Sequence, residues 1–244
     1  IYDPGVSLNV SENPLLIIDD NTGGSIGNSN SIANSGETLE SYLTITNYGS
    51  ENASGITATL STQNSSVNIP LNTITYGDLL PNESVTNTDP FLLILGDGIE
   101  DGNNLEIIVD LVDDSGNDFT GILNVFVSGN KISASNLDIV GSASDILNPG
   151  STSQVDIGLK NEGSIGSEFI SGTITSSSPF IEILDNSGTW SSISSGSSEY
   201  NDENNFEIKA LEGTIPGTSA HLVVNIETED GYTSNSMVSL QIGA

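Results

Sequence analysis

The 244-residue chain carries 33 acidic residues against three lysines and no arginine, giving a formal net charge of −30. Such a field repels phosphate backbones and disfavours anionic membrane surfaces, which excludes nucleic-acid binding and leaves cations as the expected small partners. Cysteine is absent, removing disulfides, thiolate metal sites and a thiol nucleophile together, and no apolar run reaches the 18 residues a membrane-spanning helix needs.

In chain order, residues 1–14 come first and stand outside the internal repeat described next, although Val6, Leu8 and Val10 alternate as a strand would. This segment is expected to be a strand of the first domain, an edge donated to a neighbouring subunit, or the tail of a preceding domain. No charged stretch followed by an apolar one opens the chain at Ile1, as expected where a signal peptide has been removed or where the chain is a piece of a longer one.

From residue 15 onward the chain repeats itself. Asn34-Ser-Gly-Glu-Thr through Asn47-Tyr-Gly-Ser recurs 114 residues later as Asn148-Pro-Gly-Ser-Thr through Asn161-Glu-Gly-Ser, without a gap. The same offset carries Thr75-Tyr76 onto Thr189-Trp190, and an offset of 115 carries Phe91 onto Phe206, Gly98 onto Gly213 and Gly116 onto Gly231. A period this long is domain-sized, not that of a solenoid, so two domains are expected at 15–129 and 133–244. Between them Ser128 to Ser133 is short and free of proline, which predicts a stiff end-to-end junction.

The copies diverge after Leu15–Ile18, which matches Leu137–Val140. The first copy takes about eight residues more to reach the shared Asn-x-Gly motif. Within that longer loop, Asn28, Asn30 and the carbonyl of Ile32 lie at alternate positions, with Asp19 and Asp20 upstream and Glu37 downstream. This is an oxygen set suited to a hard, irregularly coordinated cation such as Ca²⁺. The second copy keeps only Asp145 nearby and has Ser151 where Glu37 stands, so one site is expected and not two. The bland alternative is a polar loop whose carboxylates are simply solvated.

Period-two alternation continues along both copies. In the first, Tyr42 and Thr44 face opposite to Leu43 and Ile45, and strands are predicted at 55–60, 66–69, 91–95, 105–112 and 122–127. In the second, Val155, Ile157 and Leu159 repeat the logic, followed by strands at 169–174, 180–184, 205–210, 220–227 and 236–242. Asp113–Asn117 and Glu227–Gly231 are predicted hairpin turns with glycine supplying positive φ. The Asn47-Tyr-Gly and Asn161-Glu-Gly turns are expected to end their strands and fix register. Helical signatures are scarce. The fold class expected is all-β: two tandem immunoglobulin-like antiparallel β-sandwich domains.

The order of strand, Asp, Gly-Asn-x-Asn loop, Asn-x-Gly-Glu-Thr, alternating strand and Asn-x-Gly resembles the immunoglobulin-like accessory modules of large secreted bacterial proteins. These include gingipain-associated and CARDB-type domains. Motif-level similarity covers about 35 residues in each copy. The resemblance implies an exported multidomain protein, a calcium-stabilised loop and no catalysis. The family loop has Asp-Gly where this chain has Asn30-Ser31, which lowers the charge of the site.

Catalytic constellations are weak. The single histidine, His221, sits in a strand whose inward set is Ala220, Leu222, Val224 and Ile226, so it is expected to point outward and no triad forms. Acidic residues fall mostly in turns, where solvation is the default, and no carboxylate pair is singled out for glycoside hydrolysis. Trp190 and Tyr76 share a repeated position and are expected in the core or against a sheet, whereas Tyr48, Tyr200 and Tyr232 are candidates for exposed sugar contacts. Sequons at Asn9, Asn52, Asn64 and Asn82 permit N-glycosylation, but in so Asn-, Ser- and Thr-rich a chain they are expected by chance.

The expected function is a non-catalytic spacer, adhesion or accessory segment of an extracellular or cell-surface protein. Its partners would be other domains of that protein or neighbouring surface subunits. The alternatives are a filament subunit assembled by donation of the N-terminal strand, and a polysaccharide-binding module of a secreted hydrolase.

Overall fold

The computed structural model describes residues 5–10, 16–201 and 203–244, and every regular element among them is a β-strand. By internal contacts the chain divides into two compact units, Ile1–Ser128 and Gly129–Ala244, each with its own apolar core.

The first unit contains β1 (Leu8–Val10), β2 (Leu16–Ile18), β3 (Thr38–Tyr42), β4 (Thr44–Asn47), β5 (Ala53–Ser61), β6 (Val67–Leu71), β7 (Thr73–Leu79), β8 (Ser84–Thr86), β9 (Phe91–Leu95), β10 (Asn104–Val112) and β11 (Asp118–Phe126). They form antiparallel sheets in the orders β1-β4-β8, β2-β3-β9-β6 and β11-β10-β5-β7. Successive side chains of a strand point to opposite faces, so alternate apolar residues meet in one layer. Leu105, Ile107, Val109 and Leu111 of β10 join Leu39, Leu43, Ile45, Ala58, Leu60, Phe91 and Leu93 in that core.

The second unit contains β12 (Ile132–Ile139), β13 (Ile146–Leu147), β14 (Thr152–Asn161), β15 (Ile170–Thr175), β16 (Ile181–Asp185), β17 (Ser187–Trp190), β18 (Ser198–Tyr200), β19 (Phe206–Ala210), β20 (Thr218–Thr228) and β21 (Thr233–Ile242). One sheet runs β12-β14-β19-β16 with β18 also on β14, and the other runs β13-β21-β20-β15-β17. Only β13 on β21 is a parallel pairing among these strands. The inward set foreseen for β20, namely Ala220, Leu222, Val224 and Ile226, is buried, and His221 is exposed.

The registers place the described part of the N-terminal segment in the first unit and inside the repeat, where the sequence had set it outside. Leu8, Asn9 and Val10 pair with Asn47, Thr46 and Ile45, just as Ile132, Ser133 and Ala134 pair with Asn161, Lys160 and Leu159. So β1 holds in the first unit the place that the start of β12 holds in the second, and it lies inside the repeat. Leu8 and Val10 are buried in their own domain, and Val6 packs against the same core. Among the described residues β1 is therefore a strand of the first unit. Residues 1–4 and 11–14 of that segment lie outside the described residues.

In both units one long strand changes partners midway. In the first, β3 pairs with β2 and β9 while β4 pairs with β1 and β8, the change falling at Leu43. In the second, β14 pairs with β19 over Thr152–Val155 and with β18 over Gly158–Lys160, the change falling at Ile157. A residue at such a crossing loses ladder partners, and a buried N–H or C=O must find another. Side chains supply them. Asn87 Oδ1 accepts the Leu43 N–H, and Asn201 Oδ1 accepts the Ile157 N–H at 2.6 Å. Tyr76 donates its hydroxyl to the Leu43 carbonyl at 2.9 Å, and Trp190 donates Nε1–H to the Ile157 carbonyl at 2.8 Å. The core role expected for Tyr76 and Trp190 thus has a specific chemical reason: both carry a donor at the end of a large apolar body. Burial accordingly raises the Tyr76 phenol well above its usual range.

Candidate functional site

The loop from Asp19 to Glu37 is built around two buried carboxylates. Asp19 is 1% exposed and Glu37 is 7% exposed, although the segment between them is largely solvent-facing. Asp19 Oδ2 accepts the N–H of Asn30 and Oδ1 the N–H of Ser31, both at 3.0 Å. Glu37 Oε1 accepts the N–H of Asn28 at 3.1 Å and Oε2 the N–H of Asn34 at 3.0 Å. Positive φ at Ser29 and Ser31 turns successive amides inward, the geometry of a backbone nest around an anion. Gly27 is required where the two acids meet, since a Cβ there would sit 2.6 Å from Asp19 Cβ and 2.9 Å from Glu37 Oε1.

The asparagines contribute differently from the expected ligand arrangement. Asn28 Oδ1 accepts the Asn30 N–H and Asn30 Oδ1 accepts the Ile32 N–H, while both side-chain amides donate to Asn34 Oδ1 at 2.9 Å. The loop therefore brings Asp19, Glu37, Asn28 and Asn30 together and adds Asn34, which in the sequence stands out only as part of the repeated motif. The Ile32 side chain is exposed. Asp20 turns away, accepting from the Thr22 N–H and hydroxyl and from Ser25. The Thr22 bonds hold its carboxyl below the ordinary 3.8.

Burial pushes the Glu37 carboxyl above its ordinary 4.5; the Asn34 and Asn28 amides oppose this and the Asp19 charge reinforces it. No Lys, Arg or His exists anywhere in residues 1–128 to offset the two charges. Each of the four oxygens accepts one N–H and retains a further lone pair, but among the described residues no group of three or more His, Asp or Glu side chains is placed to hold a metal ion. Since the folded-state value is raised, protonation of Glu37 favours folding. That contribution is present below about 4.5 and is lost as pH rises through the folded-state value. The first domain of the wild-type chain is thus expected to gain more stability on acidification from neutrality than its Glu37→Gln variant. Melting of both across that range checks this: the wild-type chain rises relative to the variant as pH falls.

Elsewhere polar side chains serve the fold. Asn47 is fully buried; its Oδ1 accepts the N–H of Gly49 at 2.9 Å and of Ser7 at 3.4 Å, and its Nδ2 donates to the Glu51 and Leu79 carbonyls at 2.8 and 3.2 Å. Asn161 repeats this with Gly163, Lys131, Ile165 and Ile193 at 2.9, 3.5, 2.8 and 3.3 Å. A residue expected only to shape its turn is in fact a buried cross-link from the central strand to the N-terminal one. Asp113 is likewise buried rather than solvated: burial alone would raise its carboxyl, but hydrogen bonds from Asn117, Ser115 and Gly116 outweigh it and leave the value lowered. Tyr232, expected to be exposed, is buried with its hydroxyl accepting the Ile132 N–H at 3.2 Å. Tyr48 is exposed and Tyr200 half-buried beside Asn136.

Among the described residues a broad surface depression of about 530 Å³ lies over β15, β17, β20 and β21. It is lined by small polar residues including Ser171, Thr173, Ser187, Thr189 and Asn225, with Glu227 its one carboxylate. His221 hydrogen-bonds Ser239 on the exposed side of β20 and β21.

No protein-family model and no curated protein matches the chain. Among solved structures it is similar to a red sea bream transglutaminase, at 7% identity and TM-score 0.36, over 100% of this chain and 32% of that one. It is also similar to a protein of unknown function from Porphyromonas gingivalis W83, at 12% identity and TM-score 0.29, over 96% of this chain and 99% of that one. A third similarity is to native E. coli alpha-2-macroglobulin, at 11% identity and TM-score 0.34, over 99% of this chain and 17% of that one. The chain thus spans about a third of the transglutaminase and a sixth of the macroglobulin. At this level of likeness no functional residue is carried over from any of them.

Proposed function

We propose that the chain is a tandem pair of non-catalytic sandwich modules, an accessory or spacer segment of a larger exported protein, with one Ca²⁺ ordering the Asp19–Glu37 loop of the first module. The observation that carries this reading is the duplicated asparagine lock. In both copies the most deeply buried amide side chains, Asn47 and Asn161, are spent on holding backbone, and the phenol or indole at the strand crossing does the same. Catalytic sites instead converge several polar groups on a concave surface. A place outside the cell agrees with the composition, because a chain of charge −30 is least self-repelling where salt and divalent ions screen it.

The calcium part rests on Asp19 and Glu37, two buried carboxylates in a domain without a cationic side chain. An extracellular-type affinity, on the order of 10⁻⁴ to 10⁻³ M, lets millimolar calcium add about 1–3 kcal/mol to the first domain. Calorimetry of the chain with calcium and then with chelator tests it. One transition is expected to rise with calcium, and Asp19→Asn is expected to abolish that rise. Superimposable traces would remove the ion from the account.

A further inference from the structure

The outer face of β10 and β11 combines exposed apolar side chains with carboxylates. On β10 the odd-numbered residues from Leu105 to Leu111 fill the core, so Glu106, Ile108, Asp110 and Val112 lie on the opposite face. On β11 Leu123 and Val125 are buried, which leaves Asp118, Thr120, Ile122, Asn124 and Phe126 outward. Phe126 is 65% exposed, Ile122 60% and Val112 43%. The register sets Ile108 against Ile122, Glu106 against Asn124 and Asp110 against Thr120. An Ile–Ile pair therefore marks the middle of the face, Phe126 stands about 13 Å along the same edge strand, and Glu106 lies between them one strand over. Because β11 ends its sheet, the stripe is reachable from the side as well as from above.

The Ile108–Ile122 pair and, two outward positions further along the same edge strand, Phe126 have no role in the core described above, and exposed apolar side chains rimmed by polar groups are what an interaction face presents. The charge pattern selects the occupant. Glu106, Asp110 and Asp118 rim the face, and residues 1–128 hold no Lys, Arg or His at all. A second copy of this chain would bring another −30 against them. A cationic partner would gain from the same field in both affinity and encounter rate.

We infer that this face docks an extended polypeptide segment that presents apolar and basic side chains alternately along one side. Such a segment places an apolar side chain over Ile108 and Ile122, a lysine or arginine two residues later beside Glu106, and a second apolar side chain against Phe126. Two-residue periodicity on both partners keeps these contacts in step. The face shares no residue with the Asp19–Glu37 loop, so either proposal can fail while the other stands.

The test is calorimetric titration of the full chain with a synthetic peptide repeating leucine-serine-lysine-serine, beside a control peptide with serine for leucine. Saturable binding is expected, weakened about tenfold by Ile122→Ser or Phe126→Ser through lost apolar burial, and less by Glu106→Gln. Both apolar side chains are exposed, so unchanged melting of these variants would verify that the fold is intact. The control peptide should bind weakly and be released by added salt. The inference is overturned if both peptides bind alike and the substitutions change nothing, since that is general attraction to an acidic chain. Absence of binding overturns it too, as does saturable binding of a glucosamine polymer in place of the peptide.

Discussion

Replacing Asn47 by alanine is expected to destabilise the first domain by about 3–5 kcal/mol, and replacing Asn161 to do the same to the second. Each side chain is wholly buried and hydrogen-bonded to four backbone groups, two N–H and two C=O. Alanine orphans the buried groups among them, the Gly49 N–H and Leu79 carbonyl or the Gly163 N–H and Ile193 carbonyl, and each such partner costs about 1–3 kcal/mol. The longer bonds, at 3.4 Å to Ser7 and 3.5 Å to Lys131, contribute least, which keeps the sum below a simple fourfold count. Aspartate is no rescue, because it lacks both donors and introduces a charge. The measurement is denaturant or thermal unfolding of each variant, with Asn124→Ala on the exposed face as a control expected to stay within about 0.5 kcal/mol.

Substituting alanine for the glycine two residues on is expected to cost about 3 kcal/mol or more in the same domain. A Cβ on Gly49 would lie 2.0 Å from the Gly5 carbonyl oxygen and 2.6 Å from the Ser7 nitrogen. On Gly163 it would lie 2.4 Å from the Gly129 carbonyl oxygen and 2.6 Å from the Lys131 nitrogen. These are backbone atoms, so no rotamer change relieves the overlap, and the N-terminal strand must move off the strand that Asn47 or Asn161 holds it against. Overpacking of this kind ordinarily costs about 1–3 kcal/mol where side chains can yield. Loss of the asparagine bond adds to it. Because residue and bond act as one unit, the double variant Asn47→Ala with Gly49→Ala should cost clearly less than the sum of the singles. Unfolding of the three variants measures that coupling.

Much of the architecture was legible because period-two alternation is a local property. The inward set of β20 and the β10–β11 and β20–β21 hairpins follow directly from it, and Gly116 and Gly231 take the positive φ their turns require. Strands with little apolar content were not legible: β17 reads Ser-Gly-Thr-Trp and β18 reads Ser-Glu-Tyr, each placed by tertiary pairing. β1 escaped the repeat for a different reason. The offset between copies is 122 where Ile17 matches Ile139 and 124 where Leu8 matches Ile132, and neither Leu8 with Ile132 nor Val10 with Ala134 is an identity.

The asparagines show where sequence reasoning stops. Asn47-x-Gly and Asn161-x-Gly are visible as a repeat, yet spacing does not distinguish an asparagine capping its own turn from one bonded to a strand forty residues away in the chain. Gapless recurrence of the whole motif, and of Asn87 at Asn201 by the same offset of 114, is the available signal of a structural demand stronger than a turn. For the loop, the spacing singles out Asp19 and Glu37 as candidate ligands but does not foretell that both carboxylates are buried. The adjacent Asp20 is equally acidic but faces Thr22 and Ser25, a difference decided by which residue of the pair follows the last inward position of β2.

Native-state hydrogen exchange resolved to single amides tests most directly whether these duplicated side chains hold each domain together. The amides of Leu43 and Gly49, and of Ile157 and Gly163, are expected to exchange with the slowest class in their own domain. Exchange of Gly49 and Gly163 as fast as the hairpin glycines Gly116 and Gly231 would contradict it, leaving Asn47 and Asn161 as ordinary turn residues.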